Sequence, residues 1–341
     1  MSFPVASAHR SGEETLIARY FKPLATDPSA FDLADDAAIL RAVGEDAVAA
    51  TDVVVTTDAV VEGVHFLAHD PPDTIARKAL RVNLSDLAAK GAAPAGFVLT
   101  LALRDAGEVW LEPFALALGE DAKAFGCPLL GGDTVSTPGP LMISITAFGR
   151  VPAGKMVRRS GAKPGDRLVV TGTIGDAALG LDILKGGPLA TALVDDATGK
   201  EMLIARYRVP QPRNALATAV CDHASAAMDV SDGLAGDLAK LCAASGVSAA
   251  IDLSSIPVST TGRKLLASGA VSIEAIISGG DDYEILCAIS DDCYERFAHE
   301  AMQAGIAVAT IGTVIAGTAS PRFIDVQGRE LSLQRRSYSH F

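Results

Sequence analysis

The sequence predicts a two-domain α/β protein of the α+β type, and three observations carry that prediction. The chain has 341 residues, which is long for a single core and comfortable for two domains. Hydrophobic residues make up 49% of it, so globular cores can form and disorder is not expected. In both halves, an apolar strand leads into an acid-rich loop and then into a helix. We expect one domain over residues 1–150 and a second over residues 151–341.

Charge and cysteine usage exclude several classes of protein. The net charge of −12 argues against nucleic acid and anionic membrane surfaces as partners. The five cysteines show no CxxC spacing, and we interpret them as reduced core thiols. The N-terminus has no apolar signal-peptide region, and no run approaches the roughly 18 apolar residues of a membrane span. These features predict a cytoplasmic protein without a transmembrane helix.

The first half begins with apolar residues at helical spacing over 12–23, which predicts an amphipathic helix. An acid pair then leads into an apolar strand. The adjacent β-branched residues 53–55 predict a second strand, buried on both faces. Thr56, Thr57 and Asp58 place two hydroxyls and a carboxylate at the end of that strand, where α/β folds hold ligands.

A Pro-Pro-Asp turn begins a helix over residues 74–90, whose leucines and alanines form a packing stripe. Asn83 and Asp86 share another face of this helix, so Asp86 can point into a site. The small residues that follow would let a ligand or another backbone come close. The other elements of this half are a strand over 97–103, a helix over 107–126, a Gly-Gly-Asp loop at 131–133 and a strand over 141–148.

The second half repeats this order of elements. A strand over 227–230 ends in Ser231-Asp232, and a helix follows to residue 244. We expect a connector over residues 188–212 and a short β segment over 272–277. The remaining elements are strands over 168–171, 247–253, 284–289, 306–314 and 321–326, helices after 176 and over 213–224, 260–268 and 291–304, and a second Gly-Gly-Asp loop at 279–281.

Six aspartates lie next to predicted strands or on a helix face, and the predicted fold can bring them together: Asp36, Asp58, Asp86, Asp133, Asp229 and Asp232. Taken singly, such acids can also belong to a turn, a helix cap or a solvated face, although the small residues after Asp86 argue against a solvated face there. Two carboxylates about 4 Å apart repel by ~4 kcal/mol at an effective dielectric of about 20. A converging set would therefore share protons or bind cations. Because Mg²⁺ prefers carboxylates with phosphate oxygens and water, the set predicts several Mg²⁺ ions and a polyphosphate ligand.

The motifs of other catalytic classes are missing from the sequence. There is no GxxxxGK[ST] loop, no protein-kinase signature and no evident Ser/His/Asp or Cys/His arrangement. Phosphoryl transfer needs mainly positioning and charge neutralisation. If the acceptor is itself a phosphate, its oxygen is largely ionised at neutral pH, so no general base is required. The pair Arg158-Arg159 suits phosphate oxygens, although it is read equally well as a surface linker.

Several motifs together resemble one family. They occur in order from about residue 12 to the end of the chain: GEETLIARYF, DDAAIL, TTDAVVEGVHF, KALRVNLSDLAAKGAAP, LLGGDT, RSGAKPGD, MDVSDGL, SGGDDYE and YSHF. This set resembles the thiamine-monophosphate kinase family, within the ATP-binding superfamily that includes aminoimidazole ribonucleotide synthetase and selenophosphate synthetase. The resemblance implies direct in-line phosphoryl transfer from ATP to thiamine monophosphate, the last step of thiamine diphosphate biosynthesis. It also implies a homodimer whose N-terminal mixed sheets join in a barrel, each with a C-terminal α/β sandwich.

The resemblance also implies roles for individual residues, with no general base among them. The metal ligands would be Asp36, Thr56, Thr57, Asp58, Asp86, Asp133 and Asp229, with Asp232 contributing to a further ion. The ATP contacts would be Gly132, Asp133, Arg159 and Ser231. The contacts to thiamine monophosphate would be His65, Asp281 and Tyr338, the last as an aromatic platform for a cationic ring.

Three positions depart from the family pattern. Ala34 occupies a usual Gly position, Asp281 a usual Glu position and Ser339 a usual Asp position. These changes bear on acceptor contacts more than on the reaction class. Two alternatives stay open: an enzyme of the same superfamily with another acceptor, and a catalytically silent protein that binds metal and nucleotide. A selenophosphate synthetase is disfavoured because residues 1–30 contain no Cys.

Overall fold

The computed structural model describes Lys22, Ser337 and residues 28–40, 51–105 and 107–333. The helix expected over residues 12–23 therefore lies almost wholly outside the described residues. The described strands form two sheets, one in each half of the chain. None of the described helices combines the length and the apolar character needed to cross a membrane.

The first sheet has five strands in the order β1-β2-β5-β3-β4. Its strands are β1 (Ala38–Leu40), β2 (Thr51–Val61), β3 (Ala93–Leu103), β4 (Leu129–Ser136) and β5 (Met142–Pro152). β3 and β4 pair in parallel, and the other neighbours are antiparallel. We expected Thr56, Thr57 and Asp58 to end a strand, but β2 continues past them, because it pairs with β5 as far as Val61.

Two helices accompany this sheet, α1 (Pro72–Ala89) and α2 (Glu108–Ala124). α1 is the central element of the molecule, because it packs against β2 and β5 of the first sheet and against β7 and β9 of the second. Leu80, Leu84 and Leu87 lie in the core of the first sheet. Ala88 and Ala89 lie in a separate cluster with side chains of the second half. One helix therefore supports both halves.

The second sheet has six strands in the order β11-β8-β10-β6-β9-β7, and of its pairs only β11 with β8 is parallel within the described chain. Its strands are β6 (Arg167–Thr171), β7 (Ala224–Asp229), β8 (Ser248–Asp252), β9 (Ile285–Ile289), β10 (Val308–Ile315) and β11 (Arg322–Ile324). Its helices are α3 (Asp176–Leu184), α4 (Pro188–Ala192), α5 (Ala197–Arg208), α6 (Ala217–His223), α7 (Leu234–Ser245), α8 (Thr260–Ala267), α9 (Ile273–Ser278) and α10 (Asp291–Gln303). Short 3₁₀ turns lie at Pro28–Leu33, Asn214–Leu216 and Leu253–Ser255.

Two expectations for the second half are wrong. Residues 188–212 are not a plain connector, because α4 and α5 occupy most of them. The Asp196 side chain caps α5 by accepting a hydrogen bond from Gly199 N–H. Residues 272–277 are not a β segment, because α9 forms there. The Ser272 hydroxyl accepts from Ala275 N–H, and this N-cap outweighs the strand preference of the isoleucines.

The sequence Gly-Gly-Asp at 131–133 is also not a loop. It lies inside β4, paired with β3 along its length. A side chain at Gly132 would place its Cβ 1.9 Å from the carbonyl oxygen of Leu99, so only glycine allows the two strands to approach here. Gly132 therefore serves strand pairing, and β4 is the exposed edge of the sheet among the described strands.

Candidate active site

A cavity of about 740 Å³ opens between the two halves. The first half contributes the loop before β1, the polar part of β2 and one face of α1. The second half contributes the turn after β7, parts of α3 and α7, and the loop before β9. Most of these segments carry the acid motifs of the sequence, so the fold gathers them around one space.

Three aspartates from separate segments meet on the wall of this cavity. Asp36 precedes β1, Asp86 lies on α1, and Asp229 is the last residue of β7. Each offers a carboxylate oxygen, and these oxygens all lie within 4.8 Å of one another. We call these three residues the acid triad. It joins the two halves, because Asp229 comes from the second sheet.

Hydrogen bonds fix the direction of two triad carboxylates. The Thr56 hydroxyl donates to Asp86 Oδ2 over 2.5 Å, and the Ser85 hydroxyl donates to Asp229 Oδ2 over 2.9 Å. Thr56 can reach Asp86 because alternate side chains of β2 point inward toward α1. Both bonds are buried, so they hold the carboxylates in one orientation.

Cationic side chains hold the third triad member, Asp36. Lys90 Nζ lies 2.6 Å from Asp36 Oδ2, and the Arg159 guanidinium donates to Asp36 Oδ1. Burial alone would raise the pKa of Asp36, but Lys90 and Arg159 together hold that pKa below its ordinary value. Arg159 therefore faces an anionic group inside the cavity.

The pKa values of the other acids are raised. Burial raises the pKa of Asp86 and of Asp229 well above the ordinary value, and repulsion from neighbouring acids adds to this. Withdrawal from bulk water and the charges of Asp36 and Asp232 raise the pKa of Asp58 to about 6. Asp58 is exposed whereas Asp86 and Asp229 are buried, so repulsion between carboxylates is screened least at the two buried acids. Clustered oxygen ligands that repel one another fit a hard divalent cation, which would replace their protons.

Three further residues of the implied site line the same cavity. Thr57 shares a hydrogen bond with Thr146 across β2 and β5. The backbone N–H groups of Ser231 and Asp232 both donate to Asp237 Oδ2 over 3.0 Å, which fixes the turn between β7 and α7. The Asp232 carboxylate pairs with Lys240 of α7.

Two residues implied to contact the acceptor also line the cavity, His65 and Asp281. The imidazole Nδ1 of His65 accepts a hydrogen bond from Val61 N–H over 3.0 Å. The Tyr207 hydroxyl donates to the His65 carbonyl, so α5 fixes the position of this loop.

Both oxygens of Asp281 have partners. Lys78 Nζ lies 3.0 Å from Asp281 Oδ2, and the Tyr283 hydroxyl donates to Asp281 Oδ1 over 3.1 Å. The same ammonium lies 3.8 Å from the centre of the Tyr207 ring. Asp281 and Tyr283 have φ angles of 71° and 52°, in the left-handed region that side chains rarely adopt. Contacts from both halves therefore hold Asp281 in a strained conformation.

Three residues of the implied site are not brought to this cavity by the described chain. Gly132 and Asp133 lie on β4, three strands from β2 across the first sheet, or about 14 Å at the usual strand spacing. The Asp133 carboxylate accepts a hydrogen bond from Thr134 N–H. Tyr338 lies outside the described residues. The roles implied for these three residues stay predictions.

The sequence pattern did not indicate a site role for four polar residues: Lys78, Ser85, Lys90 and Lys240. Lysines on an amphipathic helix are usually solvated, so Lys78 and Lys90 look like surface residues. The side chains are in fact 2% and 0% exposed. For Lys90, the flanking residues could have indicated burial, because the run AAKGAAP contains no other charged residue.

Comparison with known proteins shows relatives over most of the chain. The family model for the N-terminal domain of AIR synthase related proteins matches residues 34–151, and the model for the C-terminal domain matches residues 163–323. The thiamine-monophosphate kinase of Caulobacter vibrioides is 43% identical over 95% of this chain and 89% of its own length. That of Escherichia coli K12 is 38% identical over 97% of this chain and 98% of its own.

Solved structures show the same relationship. The AaThiL complex with AMPPCP and TMP matches with a TM-score of 0.83 and 27% identity, over 100% of both chains. The thiamine-monophosphate kinase of Stenotrophomonas maltophilia matches with a TM-score of 0.75 and 35% identity, over 94% of this chain and 98% of that one. The prediction of a two-domain α/β fold of this superfamily is thereby confirmed.

Proposed function

The chain belongs to the thiamine-monophosphate kinase family, and from this premise we infer that the protein transfers a phosphoryl group from ATP to thiamine monophosphate, giving thiamine diphosphate. The observation that carries the inference is the acid triad in a cavity lined by both halves. The AaThiL complex, which shares the fold along its whole length, holds AMPPCP together with TMP.

The proposed cofactor is Mg²⁺, bound as several ions. The acid triad would provide the central ligands, because its oxygens are close together and two of its carboxylates are buried with raised pKa values. The surrounding oxygen ligands would be those of Thr56, Thr57, Asp58 and Asp232. When bound, Mg²⁺ would neutralise phosphate oxygens and the charge that develops during transfer.

The ATP contacts proposed within the cavity are Arg159 and Ser231. A guanidinium can bind two phosphate oxygens at once, and Arg159 already meets a carboxylate there. Ser231 lies in the turn fixed by Asp237 between β7 and α7. Gly132 and Asp133 belong to this proposal through the family resemblance.

At the acceptor we propose His65, Asp281 and Tyr338 as contacts, with no general base. The acceptor phosphate has a second pKa of about 6, so its attacking oxygen is ionised without help. The Nδ1 atom of His65 is occupied by Val61 N–H and would not take a proton from the substrate. Asp281 would offer the acceptor a carboxylate in a fixed position, since Lys78 and Tyr283 hold both its oxygens.

We further propose a homodimer formed along β4. Every residue of this strand is exposed, and it carries the exposed apolar side chains of Leu129, Leu130 and Val135. A free apolar strand edge favours pairing with another strand. A cytoplasmic location is part of the same proposal, because all five cysteines are free thiols.

The test is a product assay with purified protein, Mg²⁺, ATP and thiamine monophosphate. We expect thiamine diphosphate and ADP in equal amounts, separated by chromatography. Intact ATP despite nucleotide binding would favour the silent binding protein. Transfer to another phosphate ester, with none to thiamine monophosphate, would favour a different acceptor within the superfamily.

A further inference from the structure

Lys90, the residue that ends α1, has an ammonium group with 0% exposure. Burying an ammonium is costly unless hydrogen bonds and opposite charges compensate it. Its Nζ lies 2.7 Å from Asp35 Oδ1, 2.6 Å from Asp36 Oδ2 and 2.8 Å from the carbonyl oxygen of Ala227. The contacts with Asp35 and Ala227 are hydrogen bonds, and the contact with Asp36 is an ion pair, so two carboxylates and one carbonyl surround the buried ammonium.

Lys90 lies close, in space or along the chain, to every member of the acid triad. It touches Asp36 directly. It follows Asp86 by four residues, so it lies one turn further along the same helix end. Its third acceptor, Ala227, precedes Asp229 by two residues on β7. One ammonium thus joins the three segments that carry the triad.

Two arginines also face the Asp35-Asp36 pair, but they differ from Lys90 in burial. Arg159 is bound to Asp36 Oδ1 with 22% of its side chain exposed, and Arg158 lies 3.7 Å from Asp35 Oδ2 with 44% exposed. Exposed side chains can move or exchange partners with solvent ions. Lys90 is enclosed, and it supplies the positive charge at Asp36 Oδ2.

We propose that Lys90 is a built-in counter-ion of the metal site, which orients Asp36 toward the triad and takes the place of one exchangeable cation. It is a positioning residue, since it acts through Asp36 and not on the substrate. This inference rests on the proposed function, because it assumes that the triad binds a divalent cation. Its consequence is that the triad keeps its geometry before metal arrives.

The test variant is Lys90→Gln, which removes the positive charge and keeps N–H donors. Mg²⁺ binding is measured by calorimetry without ATP, and the melting temperature is measured in chelator and in Mg²⁺. We expect a lower melting temperature in chelator and recovery in Mg²⁺, with Mg²⁺ bound at least about tenfold more tightly or with one more ion. The removed charge leaves a more negative site that a solution cation would fill.

Lys78→Gln is the matched control. Lys78 lies on the same helix, is 2% exposed and pairs with Asp281, which is not in the triad. We expect this variant to lose stability equally in chelator and in Mg²⁺, with Mg²⁺ affinity within about twofold of wild type. An equal gain of Mg²⁺ affinity in both variants would overturn the proposal, as would unchanged or weaker binding in Lys90→Gln.

A second variant, Lys90→Gln with Asp35→Asn, removes one charge of each sign. We expect its Mg²⁺ response to return to within about threefold of wild type, because the net charge is restored. If Lys90→Gln does not fold in either buffer, the double variant decides, and its failure to fold would contradict the proposal. Wild-type protein that binds no Mg²⁺ would instead contradict the metal site of the proposed function.

Discussion

The Ser85 hydroxyl donates to Asp229 Oδ2 over 2.9 Å, and this buried bond joins α1 of the first half to β7 of the second. Ser85 is also the immediate neighbour of Asp86, so one turn of helix supplies one triad member and orients another. The relative position of the two halves therefore determines whether the acid triad forms.

Ser85→Ala tests this dependence. We expect a loss of about 1–2 kcal/mol in the free energy of unfolding, because a buried carboxylate loses a donor. We also expect Mg²⁺ affinity to fall by about tenfold, the usual effect of removing a hydrogen bond to a metal ligand. Ser248→Ala is the control, since Ser248 is buried in the second sheet outside the cavity. It should lose similar stability with unchanged Mg²⁺ affinity; matching Mg²⁺ losses in both would contradict the assigned role.

The raised carboxylate pKa values predict how stability depends on pH. Asp58, with a pKa of about 6, and the buried Asp86 and Asp229 hold protons in the folded chain at pH values where the unfolded chain has lost them. For Asp58, this part of the stability of the metal-free protein therefore falls as pH rises from about 4 through about 6, and the raised pKa values of Asp86 and Asp229 act in the same direction. Mg²⁺ should restore it, with a larger rise in melting temperature at about pH 7.5 than at about pH 5. A rise that is larger at the lower pH would refute this reading.

Asp58→Asn tests whether Asp58 is needed for metal-dependent turnover and not for folding stability. We expect turnover to be abolished, with melting temperature in chelator equal to or above that of wild type, because a repelling charge is removed. Turnover is followed as ADP release in the presence of thiamine monophosphate. A fully active variant would remove Asp58 from the metal site.

Lys78→Met tests the acceptor end of the cavity. Without the ammonium, Asp281 loses one of its two partners, and the strained loop can relax. We expect the KM for thiamine monophosphate to rise about tenfold or more, while the KM for ATP changes by less than about threefold. Steady-state kinetics with each substrate varied gives the comparison. Equal changes in both KM values would show that Lys78 has only a general structural role.

A substitution at Glu284 tests the buried ion-pair network beside the loop that carries Asp281. It is fully buried, and it accepts hydrogen bonds from Arg206, Arg213 and Thr171. Glu284→Gln should cost about 3–5 kcal/mol in denaturant unfolding, because two partly buried guanidinium groups lose their counter-charge. Glu330→Gln, at an exposed pair with Arg322, should cost less than about 1 kcal/mol. Similar costs for both would be inconsistent with the network.

Local sequence patterns were sufficient to predict much of the fold and part of the candidate site. The β-branched residues before Thr56 predicted β2, and the stripe of leucines predicted α1, because both signals depend on nearest neighbours in one element. The triad residues Asp36, Asp86 and Asp229 were all among the candidate ligands, since Asp36 and Asp229 adjoin apolar strands and Asp86 lies on a helix face away from the packing leucines.

The remaining features depend on contacts distant in sequence. Gly132 and Asp133 were expected in a loop, but pairing with β3 extends them into a strand, which no local signal shows. Lys90 gains its partners from the loop before β1 and from β7, so the identity of these partners follows from tertiary packing, although the uncharged residues around it are a local sign of burial. α9 was missed because a single serine cap outweighed the β preference of Ile276 and Ile277.

We propose that acids from both halves form one metal site for phosphoryl transfer to thiamine monophosphate. The most direct measurement is the rate of thiamine diphosphate formation by Asp86→Asn, compared with Asp52→Asn. Asp52 is buried on β2, bonds to Gly154 N–H and lies outside the cavity lining. We expect a loss of more than about 100-fold for Asp86→Asn and a change within about threefold for Asp52→Asn. Near wild-type formation of thiamine diphosphate by Asp86→Asn would contradict it.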